Sequence, residues 1–242
     1  DAKRRGGRRE RRDLRTRPDH AMLPTLAGQL PLTEPMDQEQ IERIDAASLD
    51  ILEEVGVVFR DDIALEDWRK AGADVRGERV HLDRGLVKSL IKTIPSEITL
   101  HARNPEKTVA LGGLQSIFIP MTGAPYLRDL EDVRRSPTLD DLATFHKLAH
   151  MLPAMHSSAH HIVEPMDHPI SHRHLRITHS SMLYSDKTFM GMTTSGQNAE
   201  DVLDMCAILF GEEYLETHAV VTGNCNGNSP LVWDETMLSA MR

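Results

Sequence analysis

Several features that often identify the class of a protein are scarce in this sequence. Two cysteines in 242 residues cannot form a disulfide framework or a four-cysteine zinc site, so a reducing, cytoplasmic location is expected. Aromatic residues make up only 4% of the chain, which argues against a surface on which nucleic-acid bases stack. No apolar run approaches the roughly 18 residues that span a bilayer, and no secretory signal peptide is recognisable. The sequence therefore predicts no membrane segment.

The sequence also lacks the motifs of several large enzyme classes. It contains no Gly-x-Gly-x-x-Gly motif and no Walker-type glycine–lysine loop, so a dinucleotide or nucleoside triphosphate site has no basis in the sequence. No nucleophile elbow is present either. What remains is an ordinary globular composition, with 40% hydrophobic and 27% charged residues.

The net charge of −9 is distributed unevenly along the chain. Residues 1–17 carry nine basic and three acidic side chains, whereas the rest of the chain is strongly acidic. The arginine-rich start has no apolar periodicity, so we predict a disordered basic tail over residues 1–22. Such a tail could bind nucleic acid by releasing counterions from phosphate. A solvated tail is the favoured interpretation, and a nucleic-acid partner is not expected.

Residues 23–114 are predicted to form an N-terminal arm, helices and a small sheet. Prolines between Leu23 and Pro35 favour an extended arm that lies across other elements. A helix follows, with Asp37 as its N-cap and Gly56 placed to end it. One face of this helix is marked by residues at three- and four-residue steps: Ile41, Ile44, Ser48, Ile51, Leu52 and Val55.

Over residues 115–242, strands and helices are predicted to alternate. Ser136 and Pro137 are a typical helix start, with serine as the N-cap and proline at the first helical position. Strand starts then recur about every 30 residues, the length of one strand and its crossover helix. This repetition predicts a parallel sheet, either an open doubly wound layer or part of an eight-stranded barrel.

The length of residues 115–242 favours a partial barrel over a complete one. A complete barrel takes about 250 residues, so residues 115–242 would hold only its first three or four units. The predicted fold class is therefore α/β: a partial (β/α)8 TIM-type barrel, truncated at the C-terminus and preceded by a small α+β N-terminal region.

In either arrangement, ligands bind at the carboxyl ends of the parallel strands. Polar residues gather at three such ends, in residues 160–167, 193–195 and 223–228. Asparagine amides and threonine hydroxyls can orient a small polar ligand, and glycine lets a ligand approach the backbone. Turn formation alone explains these residues about equally well.

Histidine is concentrated in one part of the chain. Nine of the 13 lie between His146 and His179, but no established ligand spacing such as His-Glu-x-x-His is present, and no metal site is predicted. Strand alternation should place His160 and His161 on opposite faces. His146 and the nearby His150 are expected to share a helix that is remote from the strand ends.

The order of short motifs resembles the trimethylamine methyltransferase family, which includes glycine betaine methyltransferases that lack pyrrolysine. The resemblance lies in the shared order and spacing of motifs that are individually short. They are Leu52-Glu53-Glu54-Val55-Gly56-Val57, Ala71-Gly72-Ala73, Ile94-Pro95, Pro137-Thr138-Leu139-Asp140-Asp141-Leu142, Glu164-Pro165, Ser185-Asp186-Lys187 and Ser229-Pro230-Leu231. Members look like complete barrels with an added N-terminal region, so the chain resembles about their first half.

The resemblance implies transfer of a methyl group from a methylated amine to the cobalt of a corrinoid. The implied donor is trimethylamine or a quaternary amine such as glycine betaine, and the quaternary amine is favoured because it needs no specialised residue. No cofactor is implied to bind directly, because a partner corrinoid protein presents the corrinoid (cobalamin). A homo-oligomer is expected for the full-length protein. The pyrrolysine position of the trimethylamine enzymes belongs to the second half of the barrel, beyond Arg242.

Candidate site residues follow from position at strand ends and from the chemistry of a methylated amine. The candidate catalytic residues are His160 or His161, together with Glu164. A cationic methylammonium group favours aromatic faces and carboxylates. The candidate substrate-binding residues are Tyr126, Thr193, Asn224 and Asn226. Two alternatives stay open: a zinc-dependent hydrolase that uses the histidine cluster, and a non-catalytic fragment that acts as a binding module.

Overall fold

A computed structural model describes residues 21–28 and 33–242, so most of the predicted basic tail lies outside the described residues. The described helices are α1 (Gln38–Asp50), α2 (Asp62–Lys70), α3 (Arg84–Ile91), α4 (Leu139–Met151), α5 (Ile170–Tyr184), α6 (Gly196–Phe210), α7 (Glu212–Leu215) and α8 (Glu235–Ala240). The strands are β1 (Leu26–Ala27), β2 (Val57–Arg60), β3 (Asp74–Arg76), β4 (Arg79–His81), β5 (Glu97–Leu100), β6 (Val109–Gly112), β7 (Gln115–Ser116), β8 (Leu127–Arg128), β9 (Arg134–Arg135), β10 (Phe189–Met190), β11 (Val221–Thr222) and β12 (Val232–Asp234). None of these helices has the length and apolar character needed to cross a bilayer.

Helix α1 begins where the sequence predicts, and the π-helical turn that continues it reaches the predicted end at Gly56. The Asp37 carboxylate accepts a hydrogen bond from the Gln40 N–H, and the Gln40 side chain accepts one from the Asp37 N–H. A π-helical turn over Ile51–Val55 follows, and Gly56 ends it with a φ of 70°. A Cβ atom at Gly56 would lie 2.6 Å from the Val80 carbonyl oxygen, so both the dihedral angle and the close approach require glycine.

The N-terminal sheet contains a strand from the far end of the chain. Its order is β12-β2-β4-β3, with β2 antiparallel to β4 and parallel to β12. Val57, Phe59 and Val80 from this sheet pack with Leu238 of α8 in one buried cluster. The core beneath residues 23–114 therefore includes side chains from the last part of the chain. The sequence pattern did not predict β12, which is only three residues long.

Four backbone segments run parallel to one another in chain order, and helices join them. Ala124 bridges to Val163, Ser157 bridges to Thr188, and β10 pairs with β11. The successive connections between these segments are α4, α5 and α6. The predicted alternation of helices and parallel strands is therefore present, but no sheet among the described residues closes into a barrel.

Helix α4 begins later than the sequence predicts. Its N-cap is Thr138 rather than Ser136, and Pro137 precedes the helix instead of opening it. The reason is a capping box: the Thr138 hydroxyl accepts a hydrogen bond from the Asp141 N–H, and the Asp141 carboxylate accepts one from the Thr138 N–H. Arg135 pairs with the same carboxylate at 2.7 Å and fixes this start.

The other end of α4 is held by a buried lysine. The Lys187 ammonium donates to the carbonyl oxygens of Ala149, Leu152 and Met155 at 2.8, 2.8 and 2.7 Å. These carbonyls lie at and just beyond the C-terminus of α4, where backbone acceptors lack helical partners. Burial lowers the pKa of Lys187 to about 8, so the amine stays largely protonated at neutral pH. Lys187 therefore ties the end of α4 to the start of β10.

The described part of the N-terminal arm contacts β7 and the residues that follow α4. Strand β1 pairs antiparallel with β7. The Leu23 N–H donates to the Pro153 carbonyl at 2.9 Å, and the Leu23 carbonyl accepts a hydrogen bond from His156 Nε2 at 3.1 Å. Residues 29–32 of the arm lie outside the described residues.

Candidate active site

The candidate site lies where the second parallel segment ends and turns toward α5. His160, His161 and Glu164 all follow the bridge between Ser157 and Thr188. The Glu164 N–H donates to the Ala124 carbonyl at 2.9 Å, so the first and second parallel segments meet here. The structure thus brings together the three candidate catalytic residues.

His160 and His161 lie on the same side of the backbone, so the expectation of opposite faces is wrong. Their ring centroids are 3.9 Å apart, with an interplanar angle of 51°. The physical reason is that His160 lies in a bend and neither histidine belongs to a strand, so the alternation of a strand does not apply to them. Ala159, which is fully buried, precedes this bend with a left-handed φ of 55°. Strain of this kind is frequent at functional sites.

His146 supports the site from helix α4. Its Nε2 atom donates to the His160 carbonyl oxygen at 2.7 Å, so its Nδ1 atom accepts from the Ser180 hydroxyl at 2.9 Å. His146 is fully buried. The sequence placed it correctly on a helix with His150, but the expectation that it is remote from the strand ends is wrong. Only the fold brings α4 across the segment that carries His160.

The three histidines are neutral at physiological pH. Burial lowers the pKa of His160 to about 3, with a further contribution from neighbouring His161 and His146, and burial lowers the pKa of His146 to about 4. Burial also lowers the pKa of His161, although the Glu164 carboxylate acts in the opposite direction. The buried Nδ1 atoms of His160 and His161 have no hydrogen-bond partner. Each of these two nitrogen atoms therefore retains an unused hydrogen-bonding group in the interior of the cluster.

Arg173 of α5 holds the candidate carboxylate in place. Its guanidinium donates to Glu164 Oε1 at 2.7 Å and to the His168 carbonyl at 2.9 Å. The other carboxylate oxygen, Oε2, lies 3.8 Å from His161 Nε2. The sequence did not predict a role for Arg173. The turn of the chain between Glu164 and α5 brings the two side chains together, and no helical or strand spacing indicates the pair.

Gly123 lies beside this cluster on the first parallel segment, and Tyr126 follows it three residues later in the chain. A Cβ atom at Gly123 would lie 3.5 Å from His161 Nε2, so the glycine leaves the histidine ring open on that side. Tyr126 is 50% exposed, and the guanidinium carbon of Arg134 lies 4.0 Å from the centre of its ring. One face of the Tyr126 ring, which the sequence predicts to contact the substrate, is therefore already covered by the Arg134 guanidinium.

The other candidate residues form a separate group at the ends of β10 and β11. Thr193 Oγ1 is buried without a partner, and Thr193 packs directly against Gly223. Both residues line a cavity of about 300 Å³, together with Cys225. His160, Glu164 and Asn224 do not line this cavity. Asn224 and Asn226 are exposed, so the structure does not bring all the candidate residues around one cavity.

Three further histidines of this part of the chain are engaged in separate contacts. His156 bonds to the arm, His174 Nε2 lies 2.6 Å from Asp201, and His150 lies 3.2 Å from Asp186. Among the described residues, no group of three or more His, Cys, Asp or Glu side chains is arranged to hold a metal ion. The histidine concentration thus reflects several different local structures.

The neutral state of His146 predicts a pH-dependent stability. Its folded pKa is about 4, below the reference value of 6.5, so the unfolded chain binds more protons between these values. The free energy of unfolding should therefore fall as the pH drops from 6.5 toward 4, by about 2 kcal/mol from this residue between pH 7 and 5. Urea unfolding at both pH values measures this. The variant His146→Gln keeps a hydrogen-bond donor but cannot titrate, so it should lose about 2 kcal/mol less stability than the wild type between pH 7 and 5. An equal loss in both proteins would contradict the lowered pKa of His146.

This fold and site define an α/β protein with a partly buried polar site at the carboxyl ends of parallel segments. A model of the trimethylamine methyltransferase (MTTB) family matches residues 4–242, and the chain belongs to that family.

Three curated relatives match parts of the chain. It is 41% identical over 213 residues to a glycine betaine methyltransferase of Desulfitobacterium hafniense (strain Y51), covering 88% of this chain and 44% of that protein. It is 26% identical over 201 residues to the trimethylamine methyltransferase MttB of D. hafniense (strain DSM 10664 / DCB-2), covering 80% and 40%. Identity to a proline betaine:corrinoid methyltransferase of Eubacterium limosum is 31% over 112 residues, covering 45% and 22%. The chain thus spans less than half the length of these relatives.

Proposed function

We propose that this chain forms part of an enzyme that transfers a methyl group from a quaternary amine, such as glycine betaine, to a corrinoid carried by a separate protein. The observation that carries this proposal is the 41% identity, over 88% of the chain, to a glycine betaine methyltransferase. The name of the Eubacterium relative supports both a betaine donor and a corrinoid acceptor. The lower identity to the trimethylamine enzyme makes trimethylamine the less favoured donor.

The fold proposal that accompanies this function is a partial (β/α)8 barrel. The parallel segments and their connections α4, α5 and α6 support its first three to four units within residues 115–242. We assign residues 23–114 to an N-terminal region that packs on the barrel through β2 and β12. In this arrangement the site lies at the usual end of the strands.

In the proposed site, Glu164 attracts the quaternary ammonium group of the donor. His160 and His161 add buried rings that are neutral at physiological pH and do not repel a cation. Arg173 offsets part of the Glu164 charge. The ammonium charge of the donor disappears in the reaction, so binding that charge too strongly would stabilise the ground state more than the transition state. The Arg173 charge limits this ground-state stabilisation.

The remaining candidates lie outside the group formed by His160, His161 and Glu164, and we propose that they contact the donor from these separate positions. Tyr126 would contact the methyl groups through the ring face that Arg134 leaves free. Thr193 offers an unpartnered hydroxyl, and the exposed amides of Asn224 and Asn226 can bond to the donor's carboxylate.

The reaction makes modest demands on the acid–base chemistry of the chain. The carbon–nitrogen bond breaks and its electron pair stays on nitrogen, so a quaternary ammonium leaves as a neutral tertiary amine without receiving a proton. The corrinoid supplies the nucleophile that accepts the methyl group. The task of the chain is to align the carbon–nitrogen bond and to exclude water. We assign no residue of this chain to hold the corrinoid, which the partner protein carries.

Both cysteines are free thiols, which supports a cytoplasmic location for this reaction.

Methyl transfer to a corrinoid protein tests this proposal. The absorbance of the reduced corrinoid should change when glycine betaine is added, and dimethylglycine should accumulate in equal amount. Because the chain spans 44% of its relative, the assay uses the chain alone and a chimera in which it replaces the matching part of the Desulfitobacterium glycine betaine methyltransferase. A folded chimera that is active with neither glycine betaine nor proline betaine would contradict the proposal.

A further inference from the structure

The loop that follows β11 contains an asparagine directly before a glycine. Asn226 and Gly227 are both exposed, and they belong to no helix or strand. Over the part of the chain that the structure describes, neither the Asn226 side chain nor the Gly227 N–H takes part in a hydrogen bond. The side-chain amide and the next backbone nitrogen are therefore both free to react with each other.

We propose that Asn226 is a site of spontaneous deamidation. The Gly227 nitrogen attacks Cγ of Asn226 and gives up its proton, the bond between Cγ and Nδ2 breaks, and ammonia leaves with that electron pair and that proton. Water then opens the resulting cyclic imide at either carbonyl, which gives an aspartyl or an isoaspartyl residue at position 226. The net reaction consumes one water molecule, turns an amide into a carboxylate and ammonium, and needs no oxidant or reductant.

The glycine promotes this ring closure, because it has no side chain to obstruct the attack and its backbone reaches many conformations. Packing gives a reason for a glycine at this position. A Cβ atom at Gly227 would lie 3.2 Å from Cε2 of Trp233. The Trp233 ring packs against the buried cluster that contains Val80 and Leu238, so it cannot readily move aside. The fold thus maintains the residue that makes Asn226 labile.

Each of the other four asparagines of the chain lacks one of these conditions. Asn104 precedes a proline, whose nitrogen has no proton to give up. Asn198 lies within α6, where hydrogen bonds hold the backbone. Asn224 is exposed in the same loop as Asn226, but the residue after it carries a side chain. Three side-chain amides also donate hydrogen bonds to other side chains: Asn104 to Asp186, Asn198 to Thr194 and Asn228 to Asp234.

Deamidation would change both the charge and the backbone of this loop. It replaces a neutral amide with a carboxylate, and the isoaspartyl product adds a methylene group to the main chain just before the bridge between Asn228 and Val232. Asn226 is also a proposed contact for the donor's carboxylate, so the new charge would oppose donor binding. This last consequence rests on the proposed function, whereas the deamidation itself does not.

Peptide mass spectrometry tests the proposal on the folded chain, after incubation at mildly alkaline pH in oxygen-labelled water. The labelled oxygen should enter the peptide that contains residues 224–228 and should lie at position 226. We expect Asn226 to convert at least about tenfold faster than Asn224, because only Asn226 precedes a glycine. If Asn226 stayed an amide, or if the two asparagines converted equally fast, the proposal would be overturned.

A variant and an unfolded control test the two causes separately. Cys225→Gly places a glycine after Asn224 and should bring the conversion of Asn224 close to that of Asn226. In denaturing urea, Asn226 should convert no more than about tenfold faster than in the folded chain, because the folded loop leaves the reacting groups free. Greater protection by folding, or an Asn224 that stays stable in Cys225→Gly, would contradict the roles assigned to the exposed loop and to the glycine.

Discussion

Replacing Lys187 with methionine is expected to lower the free energy of unfolding by about 3–5 kcal/mol. Lys187 is 2% exposed, and its ammonium satisfies three backbone carbonyls at and beyond the end of α4. Methionine fills a similar volume but donates no hydrogen bond, so these buried acceptors lose their shared partner. A loss of this size is a large share of the 5–15 kcal/mol typical of a folded domain. Urea unfolding followed by circular dichroism measures the change.

Lys147→Met is the matched control for this prediction. Lys147 lies on α4 and is exposed, with its ammonium 4.3 Å from the centre of the Tyr184 ring. An exposed contact of this kind contributes about 0.5–1 kcal/mol. If the two variants lost similar amounts of stability, the buried cap would not have the importance assigned to it.

Replacing Glu164 with glutamine is expected to weaken glycine betaine binding by about 10- to 100-fold. The carboxylate supplies the negative charge next to the histidine pair, and its loss leaves the Arg173 cation uncompensated beside the donor. Glutamine can still accept the hydrogen bond from Arg173, so the local fold should persist. Titration calorimetry of the chain and of the chimera measures the change.

Two controls separate charge from structure. Glu53→Gln removes a carboxylate that pairs with Arg84 far from the site and should not change binding. The uncharged analogue 3,3-dimethylbutyrate has carbon in place of nitrogen, so Glu164→Gln should not weaken its binding. Equal weakening for charged and uncharged ligands would indicate that Glu164 acts only through structure.

Local signals in the sequence predict much of the fold. Asp37 and Gly56 bound α1 and its π-helical turn, because N-capping and left-handed glycine are encoded in a few adjacent residues. The alternation after residue 115 predicts the crossovers, because each helix and segment carries its own apolar pattern. Thr138 shows the limit of such rules: Ser136-Pro137 is a good start signal, but the Thr138–Asp141 box competes successfully with it.

The features that local signals miss depend on distant contacts. Strand β12 exists because Val232–Asp234 lie beside β2, and its three residues carry no strand pattern of their own. The close approach of the His160 and His161 rings depends on a bend at His160, which no local pattern in the sequence predicts. Arg173 and His146 reach the site only after α5 and α4 have packed. Sequence thus predicts which strand ends carry polar chemistry, but not which side chains support it.

The pairing of β2 with β12 has a consequence for synthesis of the protein. Val57–Arg60 must wait for Val232–Asp234, which emerge from the ribosome on the order of 10–30 seconds later. During this interval one edge of β2 has open backbone donors and acceptors, and Val57 and Phe59 lack the cover that Leu238 later provides. The nascent chain is thus expected to depend on chaperones until β12 arrives, and ribosome pausing before residue 232 should increase aggregation.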